Sequence, residues 1–91
     1  MAYQLIFTDS YKKCAKRFAK KHLELAQPYR KTLMQLCDNP QHPSLRLHGL
    51  KGKLQGLHSV SINMNYRISL ELMITDKEII LINVGSHDDV Y

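Results

Sequence analysis

The chain has 91 residues, 44% of them hydrophobic, and a formal net charge of +5 with a pI near 9.4. That length fits one domain, residues 1–91, with a modest core, since so small a domain buries only about 60–65% of its unfolded surface. No apolar run nears the roughly 20 residues of a membrane span, and the N-terminus lacks the h-region of a signal peptide, so a cytoplasmic protein with a taste for polyanions is expected.

Tyr3 to Phe7 reads as a first strand. Thr8 or Asp9 can then cap a helix by accepting from the free amides of its first turn. Tyr11, Cys14, Ala15, Phe18 and His22 recur at helical spacing and make its apolar face. Lys12, Lys13, Lys16, Arg17, Lys20 and Lys21 fill much of the rest, with no acidic residue between Ser10 and His22 to offset them. A charged helix face is usually just a solvated one, but its single sign suits an anionic partner. Pro28 disrupts a helix interior yet suits a first turn, so one helix ends near Leu23 and a second starts near Gln27. Ala26, Tyr29, Leu33, Leu36 and Cys37 form the apolar side of the second helix, and Asn39-Pro40 stops it. Cys14 and Cys37 read as small core hydrophobes in a reducing compartment.

Three strands follow the loop from Pro40 to Arg46. Val60, Ile62 and Met64 alternate with Ser59, Ser61 and Asn63 in a strand from His58 to Asn63. Asn63-Met64-Asn65 is a tight turn. Tyr66, Ile68, Leu70 and Leu72 then alternate with Arg67, Ser69 and Glu71. Thr75-Asp76-Lys77 turns into Glu78 to Val84, a nearly continuous apolar run that reads as a central strand covered on both faces. The expected fold class is α+β, order β-α-α-β-β-β, with a helical hairpin packed on a twisted antiparallel sheet. After Gly85 the chain places His87, Asp88, Asp89 and Tyr91 within a few residues. Such a stretch is either a polar tail or a site delivered by a rigid strand.

The candidate chemistry gathers on the polar face. Arg67 sits on a strand, where its fork can grip a phosphate through two hydrogen bonds. Arg46, His48, Lys51, Lys53 and His58 lie before or at the start of the neighbouring strand. With His87 they fit a basic cleft for metal-independent phosphodiester chemistry on RNA, in which one group deprotonates a 2′-hydroxyl, another protonates the leaving 5′-oxygen and cations stabilise the phosphate. Each also has an ordinary reading. Surface histidines are mostly just surface, Lys51 and Lys53 can simply solubilise a loop, and Arg67 can pair with Glu71. No metal site is expected, because the histidines lack HxH or HExxH spacing and the cysteines are not paired as CxxC. Neither a P-loop nor a dinucleotide fingerprint is present, so no cofactor is expected. From residue physics alone, a basic nucleic-acid-binding domain outranks a nuclease.

Four segments taken together carry a resemblance: Asn39-Pro40-Gln41-His42-Pro43-Ser44-Leu45-Arg46, Leu50-Lys51-Gly52-Lys53-Leu54-Gln55-Gly56-Leu57, Asn65-Tyr66-Arg67-Ile68 and Gly85-Ser86-His87-Asp88-Asp89-Val90-Tyr91. With the element order, they resemble the RelE superfamily of type II toxin–antitoxin toxins, most closely its RelE/StbE and YafQ-like branch. The resemblance implies a ribosome-dependent mRNA interferase that cuts mRNA in the ribosomal A site and leaves a 2′,3′-cyclic phosphate and a 5′-hydroxyl. It implies a cognate antitoxin with an acidic toxin-binding segment, and operator DNA bound indirectly through that antitoxin. It gives His87 the general-acid role, His48 that of base or phosphate-orienting group, Arg67 that of phosphate stabiliser, and Tyr91 that of stacking on a base or orienting the nucleotide, while Arg46, Lys51, Lys53 and His58 of the basic cleft are the further residues expected on the RNA. Asn65 departs from the branch, which has an acidic residue there, and Ser59 and Ser61 stand where RelE carries lysines. The alternatives on this fold are a ParE-like gyrase poison and a catalytically degenerate antitoxin-binding module.

Overall fold

The structure, a computed structural model, describes residues 2–90. Its five strands are β1 (Gln4–Phe7), β2 (His48–Gly49), β3 (His58–Ser61), β4 (Tyr66–Met73) and β5 (Glu78–Ser86), and they form one sheet in the order β1-β5-β4-β3-β2. Helices α1 (Asp9–Lys21) and α2 (Ala26–Asp38) form the expected hairpin, joined by a 3-10 turn at Leu23–Leu25. A short helix α3 (His87–Val90) follows β5 directly, and its Val90 is buried, so this stretch is not a loose polar tail.

Strands β2 to β5 make the antiparallel meander that their alternation implies. Strand β1 is the exception. It pairs parallel with β5, from Gln4 opposite Glu78 to Phe7 opposite Leu81, so the sheet is mixed rather than wholly antiparallel. The reason is connectivity: a long helical crossover separates β1 from the other strands, and a crossover permits parallel pairing where a tight hairpin does not. Two further differences are local. The third strand stops at Ser61 because Asn63 takes over the hydrogen bonding, its Oδ1 accepting from the backbone N–H of Asn65 and Tyr66. A two-residue strand at His48–Gly49, too short to show a period, adds the edge beside it.

The core lies between the helical hairpin and one face of the sheet, where Tyr11, Phe18 and Leu36 meet Val60, Ile68, Leu70, Ile79, Leu81 and Val84. The apolar run of β5 is therefore covered fully on one face only: Ile79 and Leu81 are buried, whereas Ile80 and Ile82 are half-buried. A bulge adjusts the phase. Ser69 faces Asn83 but Leu70 faces Leu81, which leaves Ile82 as an extra residue and returns Val84 to the core beside Ile68. Thr8 is the cap of α1. Its hydroxyl accepts from the Tyr11 N–H and donates to the Leu81 carbonyl at 2.8 Å, tying the helix start to β5.

The two helices are latched by a hydrogen bond between the Tyr11 and Tyr29 hydroxyls, 2.7 Å apart. Tyr11 is 0% exposed. Burial first, and then the neighbouring Tyr29, push its phenol far above the usual tyrosine value. In the unfolded chain the same phenol ionises near pH 10. Tyr11 therefore contributes full stability below about pH 10, and that contribution falls by about 1.4 kcal/mol per pH unit above it. Urea midpoints between pH 9 and pH 11 are expected to drop more steeply for the wild type than for Tyr11→Phe. Parallel slopes would show that the phenol is not held neutral by the fold.

Candidate functional site

The face of the sheet away from the helices carries a polar cluster, and the strand register assembles it. His48 pairs with Ser59, Ser59 with Ser69, and Ser61 with Arg67, so these side chains share one face. Arg67 lies flat across β3. Its Nε donates to the Ser59 Oγ at 2.9 Å, and its Nη2 donates to the Arg46 carbonyl at 3.0 Å and to the His48 Nδ1 at 3.0 Å. Ser59 is 0% exposed, so the guanidinium rests on a buried, hydrogen-bonded support. Arg67 does not form the ion pair with Glu71 that their spacing allows, because Ser59, Arg46 and His48 lie closer to its reach. Only Nη1 keeps N–H groups with no partner among the described residues, and these are what Arg67 can offer an anion.

A guanidinium has no acceptor, so the His48 Nδ1 receives that hydrogen bond. The neutral ring then carries its proton on Nε2, and His48 presents an N–H donor rather than a free lone pair. Arg46 has the left-handed backbone conformation, φ 50°, at the end of the 3-10 turn Pro43–Leu45. A non-glycine residue there stores strain, and here the conformation aims the Arg46 carbonyl at Arg67. Lys51 and Lys53 are exposed on the tight loop before β3, whose two ends are joined by the hydrogen bond from Leu50 N–H to the Leu57 carbonyl. A cavity of about 340 Å³ opens beside His48, lined also by Gly49, Leu50, Lys51 and Leu54.

His87 is the first residue of α3, two residues beyond Gly85, and Gly85 is the register partner of Arg67. Its side chain is 65% exposed, with Nδ1 3.8 Å from Asp88 Oδ1. The buried Val90 anchors the helix that carries it. Tyr91, the expected aromatic contact, lies outside the described residues.

His58 does not join the cluster. It pairs with Gly49 and Leu70, one step out of phase with His48, and therefore faces the opposite side of the sheet. Its Nδ1 is buried without a hydrogen-bond partner among the described residues. Leaving such a nitrogen unpaired costs about 1–3 kcal/mol. His58→Leu is expected to raise the melting temperature by several degrees and to leave any RNA chemistry intact. A lower melting temperature would mean that the nitrogen is satisfied in solution. Among the described residues no group of three or more His, Cys, Asp or Glu side chains is placed to hold a metal ion.

What the alternation could not reveal was the Arg46 carbonyl as a partner of Arg67, which is a backbone effect. Alternation does set Arg67 on a polar face across from Ser59 and Ser61, and the bond to Ser59 agrees with that.

No family model and no curated protein matches the sequence. Solved structures do match in shape. YafQ from E. coli strain BL21(DE3) superposes with a TM-score of 0.80 at 15% identity, covering 98% of each chain. A chain of the E. coli DinJ–YafQ toxin–antitoxin complex gives a TM-score of 0.78 at 17% identity, over 100% of this chain and 99% of that one. The YoeB dimer from Staphylococcus aureus gives 0.74 at 18% identity, over 96% and 99%. Two helices on a five-stranded mixed sheet is thus the fold this chain shares with the YafQ and YoeB toxins.

Proposed function

We propose that the chain is the toxin of a type II toxin–antitoxin pair in the YafQ-like branch of the RelE superfamily, and that it cleaves mRNA in the ribosomal A site. The observation that carries this reading is Arg67, braced on an interior strand by Ser59, Arg46 and His48 through Nε and Nη2. A fixed cation bonded to one histidine, on a strand whose register partner Gly85 lies two residues before a second, suits the cleavage of a phosphodiester. The fold shared with a toxin crystallised with its antitoxin supports the partner.

In the proposed reaction the RNA 2′-hydroxyl passes its proton to a solvent water as its oxygen attacks the adjacent phosphorus. The bond from phosphorus to the 5′-oxygen breaks, and that oxygen takes a proton from His87. A 2′,3′-cyclic phosphate and a 5′-hydroxyl remain. The Arg67 Nη1 binds the non-bridging oxygens as charge builds on them. The hydrogen bond from Arg67 favours the orienting role for His48, whose neutral ring then carries its proton on Nε2. To act as base His48 must first exchange its tautomer. Arg46, Lys51 and Lys53 add positive charge around the cleft, and the cavity beside His48 is sized for a base. Where RelE carries lysines this chain has the small Ser59 and Ser61, and Ser59 accepts from Arg67, so Arg67 is the strand cation that this reading sets on the phosphate.

The expected partners are an antitoxin with an acidic segment that neutralises the +5 charge, and operator DNA reached through that antitoxin. No helix among the described residues is long and apolar enough to cross a membrane. The reading places the toxin in the cytoplasm with the ribosome. The test is primer extension on a reporter mRNA in cell-free translation, with and without ribosomes. Cuts within A-site codons that require ribosomes are expected. Intact mRNA with a folded protein would sink the reading and send the work to gyrase supercoiling.

A further inference from the structure

A second cavity, of about 320 Å³, lies between α1 and strands β4 and β5, lined by Arg17, Phe18, Lys21, His22, Tyr66 and Asn83 among others. Its volume is in the range of small-ligand sites. It is on the reverse of the sheet from Arg67, since Tyr66 and Arg67 are neighbours on one strand and point to opposite faces.

Three features give this cavity a chemistry. Arg17 and Lys21 are four residues apart on α1 and so stand on the same side of its rim, both exposed. Among the described residues no carboxylate lines the cavity, so nothing within it neutralises that pair. Glu24 lies beside a lining residue, its Oε1 3.5 Å from the His22 Nδ1, and is itself mostly exposed. The apolar wall is aromatic: the rings of His22 and Tyr66 lie 4.5 Å apart, those of Phe18 and His22 4.8 Å, and Phe18 meets Tyr66 edge-on at 5.4 Å. The back wall is fixed. The Cys14 thiol donates to the Asn83 Oδ1 at 2.7 Å and to the Val84 carbonyl at 3.0 Å, which holds the bulged part of β5 against the helix.

Two cations at the rim and a packed aromatic wall behind them match one ligand class. A phosphate is bound at the rim by charge-assisted hydrogen bonds. A planar heterocycle is bound within by stacking, an interaction that tolerates any base. We propose that this cavity is a binding site for a nucleoside phosphate, with the phosphate between Arg17 and Lys21 and the base against His22 and Tyr66. The same chemistry is offered by a free mononucleotide and by a nucleotide within RNA. The proposal does not depend on the reading of the opposite face, because no residue is shared between the two.

The test is a titration of the isotope-labelled full chain with 5′-AMP, with a tetraadenylate and with inorganic phosphate, followed through backbone amide shifts. The expected result is saturable shifts at Arg17, Lys21, Tyr66 and Asn83 to Gly85 with 5′-AMP, with phosphate binding more weakly. Tighter binding of the tetraadenylate would assign the site to RNA, and tighter binding of 5′-AMP to a free nucleotide. The double variant Arg17→Ala/Lys21→Ala changes only exposed positions and is expected to weaken 5′-AMP about tenfold or more. Tyr66→Leu is expected to weaken 5′-AMP but not phosphate. The proposal is overturned if neither nucleotide ligand gives saturable shifts there, if phosphate binds as tightly as 5′-AMP, or if the double variant binds like the wild type.

Discussion

Arg67→Ala is expected to slow mRNA cleavage about a thousandfold, the scale seen when a pre-placed donor is removed from a developing oxyanion. The fold should survive. The substitution leaves the buried Ser59 hydroxyl and the Arg46 carbonyl without their donor, a loss of about 1–3 kcal/mol, and no core side chain changes. Growth arrest should therefore vanish while antitoxin binding persists. Arg67→Lys is the sharper variant. Lysine keeps the charge but cannot hold Ser59, Arg46 and His48 through a rigid fork while still presenting two N–H groups outward. It is expected to recover little of the lost rate. Wild-type cleavage by the lysine variant would show that position 67 supplies charge alone. Wild-type cleavage by the alanine variant would remove Arg67 from the mechanism.

The sheet was the most legible part of the chain. Ile68, Leu70 and Leu72 alternate with Arg67, Ser69 and Glu71 without interruption, and the structure keeps that division of faces. Strand β1 shows where such reasoning ends. Its residues say that it is extended, but nothing local says that its partner is β5, 74 positions on from Gln4 at Glu78, or that the two run parallel. Pairing at that separation is decided by the helical crossover and by which edge of the sheet remains open. The bulge at Ile82 is similar. A continuous apolar run conceals a slip of register, because every residue in it is acceptable on either face.

The candidate site divides in the same way. Arg67 could be placed on a polar face by alternation, whereas His48 could be read only as one of a basic group before the next strand; the hydrogen bond between them is what the structure adds. His58 could not be separated from His48 by composition. One residue of phase decides the side of the sheet, and the phase is set by the pairing of Gly49 with His58. The strained carbonyl of Arg46 had no signature, because a left-handed arginine is permitted only by its surroundings.

His87→Ala is the other large effect, and its interpretation turns on the leaving group. In the proposed mechanism His87 gives its proton to the departing 5′-oxygen, a contribution of roughly a hundredfold to ten-thousandfold. His87 is carried on α3 by the anchored Val90 and is exposed, so its removal should cost little stability. Loss of cleavage alone would not distinguish a proton donor from a group that merely holds the RNA. A substrate with sulfur in place of the bridging 5′-oxygen does distinguish them, because a thiolate leaves readily without being protonated. On that substrate His87→Ala is expected to cleave nearly as fast as the wild type, while Arg67→Ala remains slow, since the phosphate still gathers charge. If the sulfur substrate fails to rescue His87→Ala, the histidine positions the RNA and the proton comes from elsewhere. The rescue also separates the two faces of the proposal: a protein that stacks or binds RNA without cutting it would respond to neither substitution in this pattern.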